Sequence, residues 1–418
     1  MESLSQKEKA SLYAPAIRML CVEKRHSFVR CCMNSTVASF LGSSESVADL
    51  ENLLSDYSDN NRKGILLVVE KPDIDEQYDE LLKSFAEYKM RVGHPPAFVV
   101  MQNCALYSCS DSVDRLDESI KACLKSITDK FPATVCKTHS SLIKGRIAGK
   151  IIVVTGSAQG FGKGIAEALA GEGAVLVIAD INNDASRRVA ADICNRHGKG
   201  TAIAIRTDVT SEESIRELLA ETVVTFGGID VFISNAGILK AGSLEEMDLR
   251  SFDLVTKINY RAYFLCTKYA SRYMKIQQRF KPDYYSDIIQ INSKSGLEGS
   301  NRNFAYAGGK FGGIGLTQSF ALELSEHNIK VNSVCPGNFF EGPLWSDPHT
   351  GLFAQYLRTG KVPGAKNIED VKRFYEGKVP MKRGCSVRDV VTAVLYIIDQ
   401  CYETGQAIPV TGGQIMMH

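Results

Sequence analysis

Ser293, Tyr306 and Lys310 have the types and spacing of an acid–base device. Ser293 follows the apolar run 287–292, and Tyr306 and Lys310 lie four residues apart, so the pair shares one face if the segment from Ala305 is helical. A free phenol titrates near pH ~10; to work as a phenolate base near neutrality it must titrate roughly 3 pH units lower, about 4 kcal/mol of preferential stabilisation of the anion. A lysine ammonium one helical turn away can supply much of this, and a second nearby cation would add more. Ser293 would hydrogen-bond the oxygen that exchanges the proton. Spacing four is common on helices, where a half-buried tyrosine beside a solvated lysine is the ordinary case. The elements around the three residues therefore decide the reading.

The first such element is the apolar run Ile151 to Val154, followed by Thr155-Gly156-Ser157-Ala158-Gln159-Gly160-Phe161-Gly162 and then a helical pattern at Ile165, Ala168 and Leu169. Strand, glycine loop and helix in this order leave a helix N-terminus open to a pyrophosphate, with glycine where backbone and phosphate approach closely. A second strand, 175–179, ends at Asp180, 24 residues after Gly156. A carboxylate there accepts hydrogen bonds from the adenosine ribose and repels a 2'-phosphate, which favours NAD over NADP; the alternative is a strand-end aspartate capping the next turn. Asp208 and Val209 follow a strand over 201–206 and are placed to meet the adenine. Residues 230–234 read as a buried strand leading into Asn235-Ala236-Gly237, small enough to pass under the adenine ribose.

Taken together, these residues make the stretch from about Gly149 to His418 resemble the short-chain dehydrogenase/reductase family. The resemblance also rests on Asn259, on Pro336-Gly337 after a strand, and on Thr404-Gly405-Gln406 with Val410-Thr411-Gly412-Gly413. It implies a doubly wound, mostly parallel α/β sheet of Rossmann type. It also implies NAD held by Gly156, Gln159, Gly160, Phe161, Gly162, Asp180, Asp208, Val209, Asn235, Ala236, Gly237, Tyr306, Lys310, Pro336, Gly337 and Phe339. Asn259 would hold a helix kink and a water that relays the proton from Lys310, making Asn259, Ser293, Tyr306 and Lys310 the catalytic set. Where many members have a threonine four residues past the Pro-Gly glycine, Glu341 stands here.

Within the family, the segments 288–296, 309–318, 378–385 and 404–414 are similar to the branch that interconverts sorbitol 6-phosphate and fructose 6-phosphate with NAD. A phosphorylated polyol or ketose would explain Lys294 and Lys382-Arg383, which the general chemistry does not use. The phosphate candidates are Lys240, Lys294, Arg302 and Arg383. Trp345, Phe353, Tyr356, Phe374 and Tyr375 suggest short helices between Pro343 and Pro380 forming a lid or an oligomer flap. The alternatives are a dehydrogenase for another polyol or sugar phosphate, and an NAD sensor without turnover, which would have no need of Ser293, Tyr306 and Lys310 together.

With 418 residues, 44% apolar content and net charge +1, the chain is long enough for two domains and has no general nucleic-acid surface. Its 12 cysteines lack any Cys-x-x-Cys and its 7 histidines are dispersed, so reduced core thiols in a cytoplasmic protein are expected and no metal site. The polar start carries no targeting segment, and no apolar run approaches a membrane span. A homo-oligomer, tetramer or dimer, is expected. Residues 1–135 form a separate small α/β unit, with strands at Ile65 to Val69 and Ala97 to Met101 and helices through 74–88 and 116–127. Residues 97–111 resemble the aldolase region of fused aldolase/dehydrogenase proteins, but Cys104-Ala105 stands where a metal-binding His-Gly is expected, which makes the unit a remnant that packs, mediates assembly or covers the site. Residues 136–148, basic and polar, are the expected linker.

Overall fold

The computed structural model describes residues 4–22, 27–33, 37, 50, 54, 57–59, 62–129, 144–349, 351–358, 360 and 362–416. Most of the expected linker lies outside them. Its last residues, 144–148, form a turn held by the Ile147 N–H on the Glu172 carbonyl at 3.1 Å.

The amino-terminal unit opens with α1 (Gln6–Cys21), capped by a Ser5/Glu8 capping box, followed by β1 (Phe28–Cys32), a short ribbon of β2 (Ser58–Asp59) and β3 (Arg62–Lys63), β4 (Ile65–Val68), α2 (Ile74–Val92), β5 (Phe98–Met101), β6 (Ala105–Ser110) and α3 (Val113–Asp129). Its sheet has the order β1-β6-β5-β4, in which only β4 and β5 run parallel. Both expected strands and both expected helices are present. The sequence reading passed over α1, where polar residues and Pro15 obscure the period, and over β1 and β6.

The second unit alternates strand and helix: β7 (Ile151–Thr155), α4 (Gly160–Gly171), β8 (Val175–Asp180), α5 (Asn183–His197), β9 (Ala202–Arg206), α6 (Glu212–Phe226), β10 (Val231–Ser234), α7 (Leu249–Thr256), a π turn (Lys257–Arg261), α8 (Ala262–Phe280), β11 (Ser286–Ile291), α9 (Phe304–Leu324) and β12 (Ile329–Pro336). Three short helices, α10 (Pro343–Ser346), α11 (Leu352–Arg358) and α12 (Ile368–Gly377), precede α13 (Val387–Asp399) and β13 (Ala407–Val410). The seven strands run parallel in the order β9-β8-β7-β10-β11-β12-β13, which reverses between β7 and β10. Runs such as Ile151 to Val154 are apolar on both faces because helices cover both faces. This is the doubly wound α/β fold that the motifs imply.

The two units share one core. Ala10, Tyr13, Ile17, Phe28 and Val29 pack in the same cluster as Ile151, Ile215, Phe226, Phe232, Tyr263 and Met274. Gly227 and Gly228 make the approach possible: a Cβ on Gly227 would stand 2.8 Å from that of Val29, and one on Gly228 would stand 2.9 Å from an Arg18 nitrogen. Arg18, fully buried, forks onto Asp230 through hydrogen bonds of 2.8 and 2.7 Å and donates a third, of 2.7 Å, to the Ser27 carbonyl. Asp230 also accepts from the Ile151 N–H and the Tyr284 hydroxyl, both at 2.8 Å. The amino-terminal unit thus docks at the start of the β7 and β10 strands.

Cys104 is buried in the turn between β5 and β6, and burial pushes its thiol up to about 11. Among the described residues no group of three or more His, Cys, Asp or Glu side chains could hold a metal ion, and no helix is long and apolar enough to cross a membrane.

Candidate active site

A cavity of about 1060 Å³ opens at the carboxyl ends of the strands, around the point where strand order reverses. Every lining residue falls between Gly156 and Lys378. The described residues of the amino-terminal unit do not line the cavity and dock at the other end of the strands.

At the glycine loop, Asn235 donates to the carbonyls of Thr155 and Gly156 at 2.9 and 3.0 Å, and the Thr155 hydroxyl accepts from the N–H groups of Asn235 and Ala236 at 3.0 and 3.2 Å. Gly156, at φ +64°, lies so near Ala236 that a Cβ would come within 2.8 Å of its Cα. A Cβ on Gly162 would come within 2.3 Å of the Gly156 oxygen. Gln159 stands at the N-cap of α4 without a side-chain hydrogen bond, so the first turn presents bare N–H groups to the cavity. Asp180 orders the loop by accepting from the Ala158 N–H at 3.0 Å and keeps its place on the cavity wall with Asp208 and Val209. Asp208 accepts from the Thr210 N–H and hydroxyl at 2.9 and 2.8 Å. An uncapped helix start, a glycine cradle and a carboxylate at the end of β8 fit an adenine dinucleotide. Pro336, Gly337 and Phe339 close the other wall, and Phe339 stacks on Phe161 with ring centroids 4.2 Å apart.

The catalytic candidates converge beside this cradle. Asn259 lies in the π turn, 3% exposed, and clamps the loop after Gly237 with both amide ends on Ile238, at 2.8 and 2.9 Å. A Cβ on Gly237 would stand 3.2 Å from the Asn259 oxygen and 3.9 Å from Lys310 Nζ, so the three residues meet at one point. Tyr306 and Lys310 sit on α9 as their spacing requires, with Nζ 5.6 Å from the Tyr306 ring centroid. Ser293, just past β11, accepts at its hydroxyl from the Ser295 N–H at 3.1 Å and lines the cavity with Tyr306. Asn292, which the sequence reading did not single out, ties β11 to α9 through a 2.9 Å bond to the Lys310 carbonyl. Gly296 and Gly313 let helix and strand close up: a Cβ on either would run into Asn292 or Gln290.

The electrostatics depart from expectation. Desolvation raises the Tyr306 phenol, and the Ser293 hydroxyl opposes it. Lys310 stands beside the phenol ring. Its ammonium is itself buried and donates to the Ile291 carbonyl at 2.9 Å, and desolvation lowers it to about 8. Part of a phenolate's stabilisation then falls to whatever positive charge enters the cavity.

Of the four phosphate candidates, Lys294 and Arg302 line the cavity, and Lys240 and Arg383 do not. Arg302 pairs with Glu246 at 2.5 Å, and the Ser243 N–H bond, with this contact, holds the Glu246 carboxyl down at about 2. Arg383 forks onto Asp389 and Lys382 donates to the Gly377 carbonyl, so the basic pair has structural partners. The short helices expected as a lid or an oligomer flap are present: Trp345, Phe353, Tyr356 and Tyr375 pack with Phe340 around Val371, and Trp345, Tyr356 and Tyr375 face the cavity. Glu341 is exposed at the lid's root and is absent from the lining. Lys378, at the end of α12, lines the cavity and was missed because Lys382-Arg383 drew the reading four residues on.

Residues 150–344 match the family described as short chain dehydrogenase. Sorbitol-6-phosphate 2-dehydrogenase of Escherichia coli is 38% identical over 270 residues, 64% of this chain and 99% of that protein. The chain belongs to the short-chain dehydrogenase family. It is an oxidoreductase that uses a nicotinamide cofactor on a small-molecule substrate. A 3-oxoacyl-[acyl-carrier-protein] reductase of Aquifex aeolicus is 32% identical over 64% of this chain and 98% of its own length. Among solved structures, sorbitol-6-phosphate 2-dehydrogenase from Erwinia amylovora superposes with a TM-score of 0.58 at 37% identity, covering 64% of this chain and all of that one.

Proposed function

We propose that the protein is an NAD-dependent dehydrogenase interconverting a sugar-alcohol phosphate and its ketose phosphate, sorbitol 6-phosphate and fructose 6-phosphate. The observation that carries this reading is the division of charge along one cavity. The carboxylates on its wall, Asp180 and Asp208, follow β8 and β9 on one side of the strand-order reversal, whereas the basic residues on it follow β11, as Lys294 and Arg302, or cap the helix α12, as Lys378. The first arrangement suits an unphosphorylated adenosine ribose, the second an anionic substrate. The names of the two sorbitol-6-phosphate dehydrogenases support the same substrate.

In this reading Gly156, Gly160 and Gly162 cradle the pyrophosphate on the start of α4, and Asp180 binds the ribose. The bound cofactor supplies hydride acceptance and a cationic ring. Ser293 orients the C2 oxygen, Tyr306 removes its proton, Lys310 grips the nicotinamide ribose, and Asn259 beside Gly237 completes the path by which the proton leaves. A cytoplasmic homo-oligomer is the expected setting, and the exposed Phe264, Phe311 and Leu322 on α8 and α9 are apolar surface that a second copy would cover. The amino-terminal unit remains, on this reading, an aldolase-like remnant that packs without catalysis. NADH formation with a panel of phosphorylated and free polyols tests the proposal. Turnover of sorbitol 6-phosphate well above free sorbitol is expected; equal or greater turnover of the free polyols would refute it.

A further inference from the structure

The cavity wall opposite the cofactor cradle is built by the lid, which alone contributes Trp345, Tyr356, Tyr375 and Lys378. Lys378 is the C-cap of α12. Its Nζ lies 4.3 Å from the Phe374 ring centroid and 5.2 Å from that of Tyr375, so aromatic faces hold the cation in place and the carboxyl end of the helix favours positive charge there. Among the described residues no carboxylate pairs with it, in contrast to Arg302 and Arg383, whose charges Glu246 and Asp389 already answer. Lys294 is the other lining lysine without a carboxylate, but it follows Ser293 directly and belongs to the reacting end. In a hexitol 6-phosphate oxidised at C2, three carbons lie between the phosphate-bearing carbon and the reacting one. The dianion then belongs away from Ser293 and Tyr306, against the lid.

Resting on the phosphorylated-substrate reading, we propose that Lys378 is the residue that selects the phosphate, and that the dianion, by binding it, draws the lid over the cleft. The cation is preset by the rings and needs little reordering, so the interaction goes into closure. Charge-assisted hydrogen bonds from a lysine to phosphate correspond to roughly 10- to 100-fold in kcat/KM.

The lid also carries its own reporter, since Trp345 is the chain's 1 tryptophan and packs on Phe340, Phe353, Tyr356 and Tyr375. Two measurements test the proposal on the full chain. The first compares kcat/KM for sorbitol 6-phosphate and free sorbitol in the unmutated protein, Lys378→Ala, Lys378→Arg and Lys294→Ala. The second follows tryptophan fluorescence as fructose 6-phosphate is added to the protein with NAD, a pair that cannot react. Lys378→Ala should lose about 10- to 100-fold on the phosphorylated substrate with little change on sorbitol, Lys378→Arg should recover most of it, and the fluorescence change should vanish only in the alanine variant. Equal losses on both substrates, or a phosphate preference that survives Lys378→Ala and disappears in Lys294→Ala, would overturn the assignment while leaving the substrate intact. If the unmutated protein shows no phosphate preference, the substrate reading fails first and this proposal with it.

Discussion

Replacing Arg18 by methionine tests how the two units depend on each other. The substitution keeps the length of the apolar stem but removes both charge-assisted hydrogen bonds to Asp230 and the one to the Ser27 carbonyl. Arginine and aspartate are both fully buried, so the carboxylate left behind cannot turn to water. Breaking a buried pair in this way costs about 3 to 5 kcal/mol, a large part of the roughly 5 to 15 kcal/mol by which a domain is held folded. Asp230 would keep the Ile151 N–H and the Tyr284 hydroxyl, which places the expected loss toward the lower figure. A urea titration of the full chain, followed by circular dichroism and by activity, should show a clear fall in the unfolding midpoint. Adding Asp230→Asn should restore a good part of it, because the amide removes the stranded charge and still offers an acceptor oxygen. A single variant within about 1 kcal/mol of the parent, or a double variant no better than the single, would refute the reasoning.

Three further outcomes follow from the site. Tyr306→Phe should abolish turnover and leave cofactor affinity, measured by titration calorimetry, nearly unchanged, since the cradle lies on other residues. Asp180→Ala should narrow the preference for NAD over NADP in kcat/KM, with some loss of stability because the Ala158 and Asn182 N–H groups lose their acceptor. Lys310→Met should stabilise the cofactor-free protein more at pH 7 than near pH 10. The folded lysine titrates at about 8 against an ordinary 10.5, so the unfolded chain holds more protons across that window and the burial penalty disappears as pH rises through it. The difference between the two pH values should reach about 2 to 3 kcal/mol in thermal or urea unfolding, and no pH dependence would contradict the buried-ammonium reading.

How much the sequence disclosed follows from how local each signal is. The glycine loop, the strand-end Asp180, the Asn-Ala-Gly turn and the Tyr-x-x-x-Lys pair declare themselves because each depends on a short stretch of backbone whose shape those residue types require. Their support does not: Asn292 reaches α9 from β11, and Gly296 and Gly313 matter only because a strand and a helix far apart in sequence press together. Phosphate candidates chosen by basicity alone divided by their partners, since Glu246 and Asp389 are invisible as partners until the chain is folded. The raised Tyr306 phenol has the same origin, because helical spacing places Lys310 nearby but cannot show how far burial desolvates the phenol.

The least legible element, α1, is where the amino-terminal unit is tied to the sheet. Arg18 meets Asp230 at the start of β10, and the cavity begins beyond Ser234 at the strand's other end, roughly 13 Å away at about 3.3 Å per residue. Nothing between them is a hinge: β10 lies buried between β7 and β11, pinned by ladder bonds on both sides. The described residues of the unit therefore bear on the reaction through the folding of the sheet and line no part of the cleft. The relatives from Escherichia coli and Erwinia amylovora align over nearly their whole lengths with only 64% of this chain, so the same sheet is built there without this partner. Here Gly227, Gly228 and the buried carboxylate of Asp230 are shaped to receive it. Arg18→Met should accordingly lower the amount of folded enzyme while leaving kcat per folded molecule unchanged, a separation that active-site titration at low temperature would resolve.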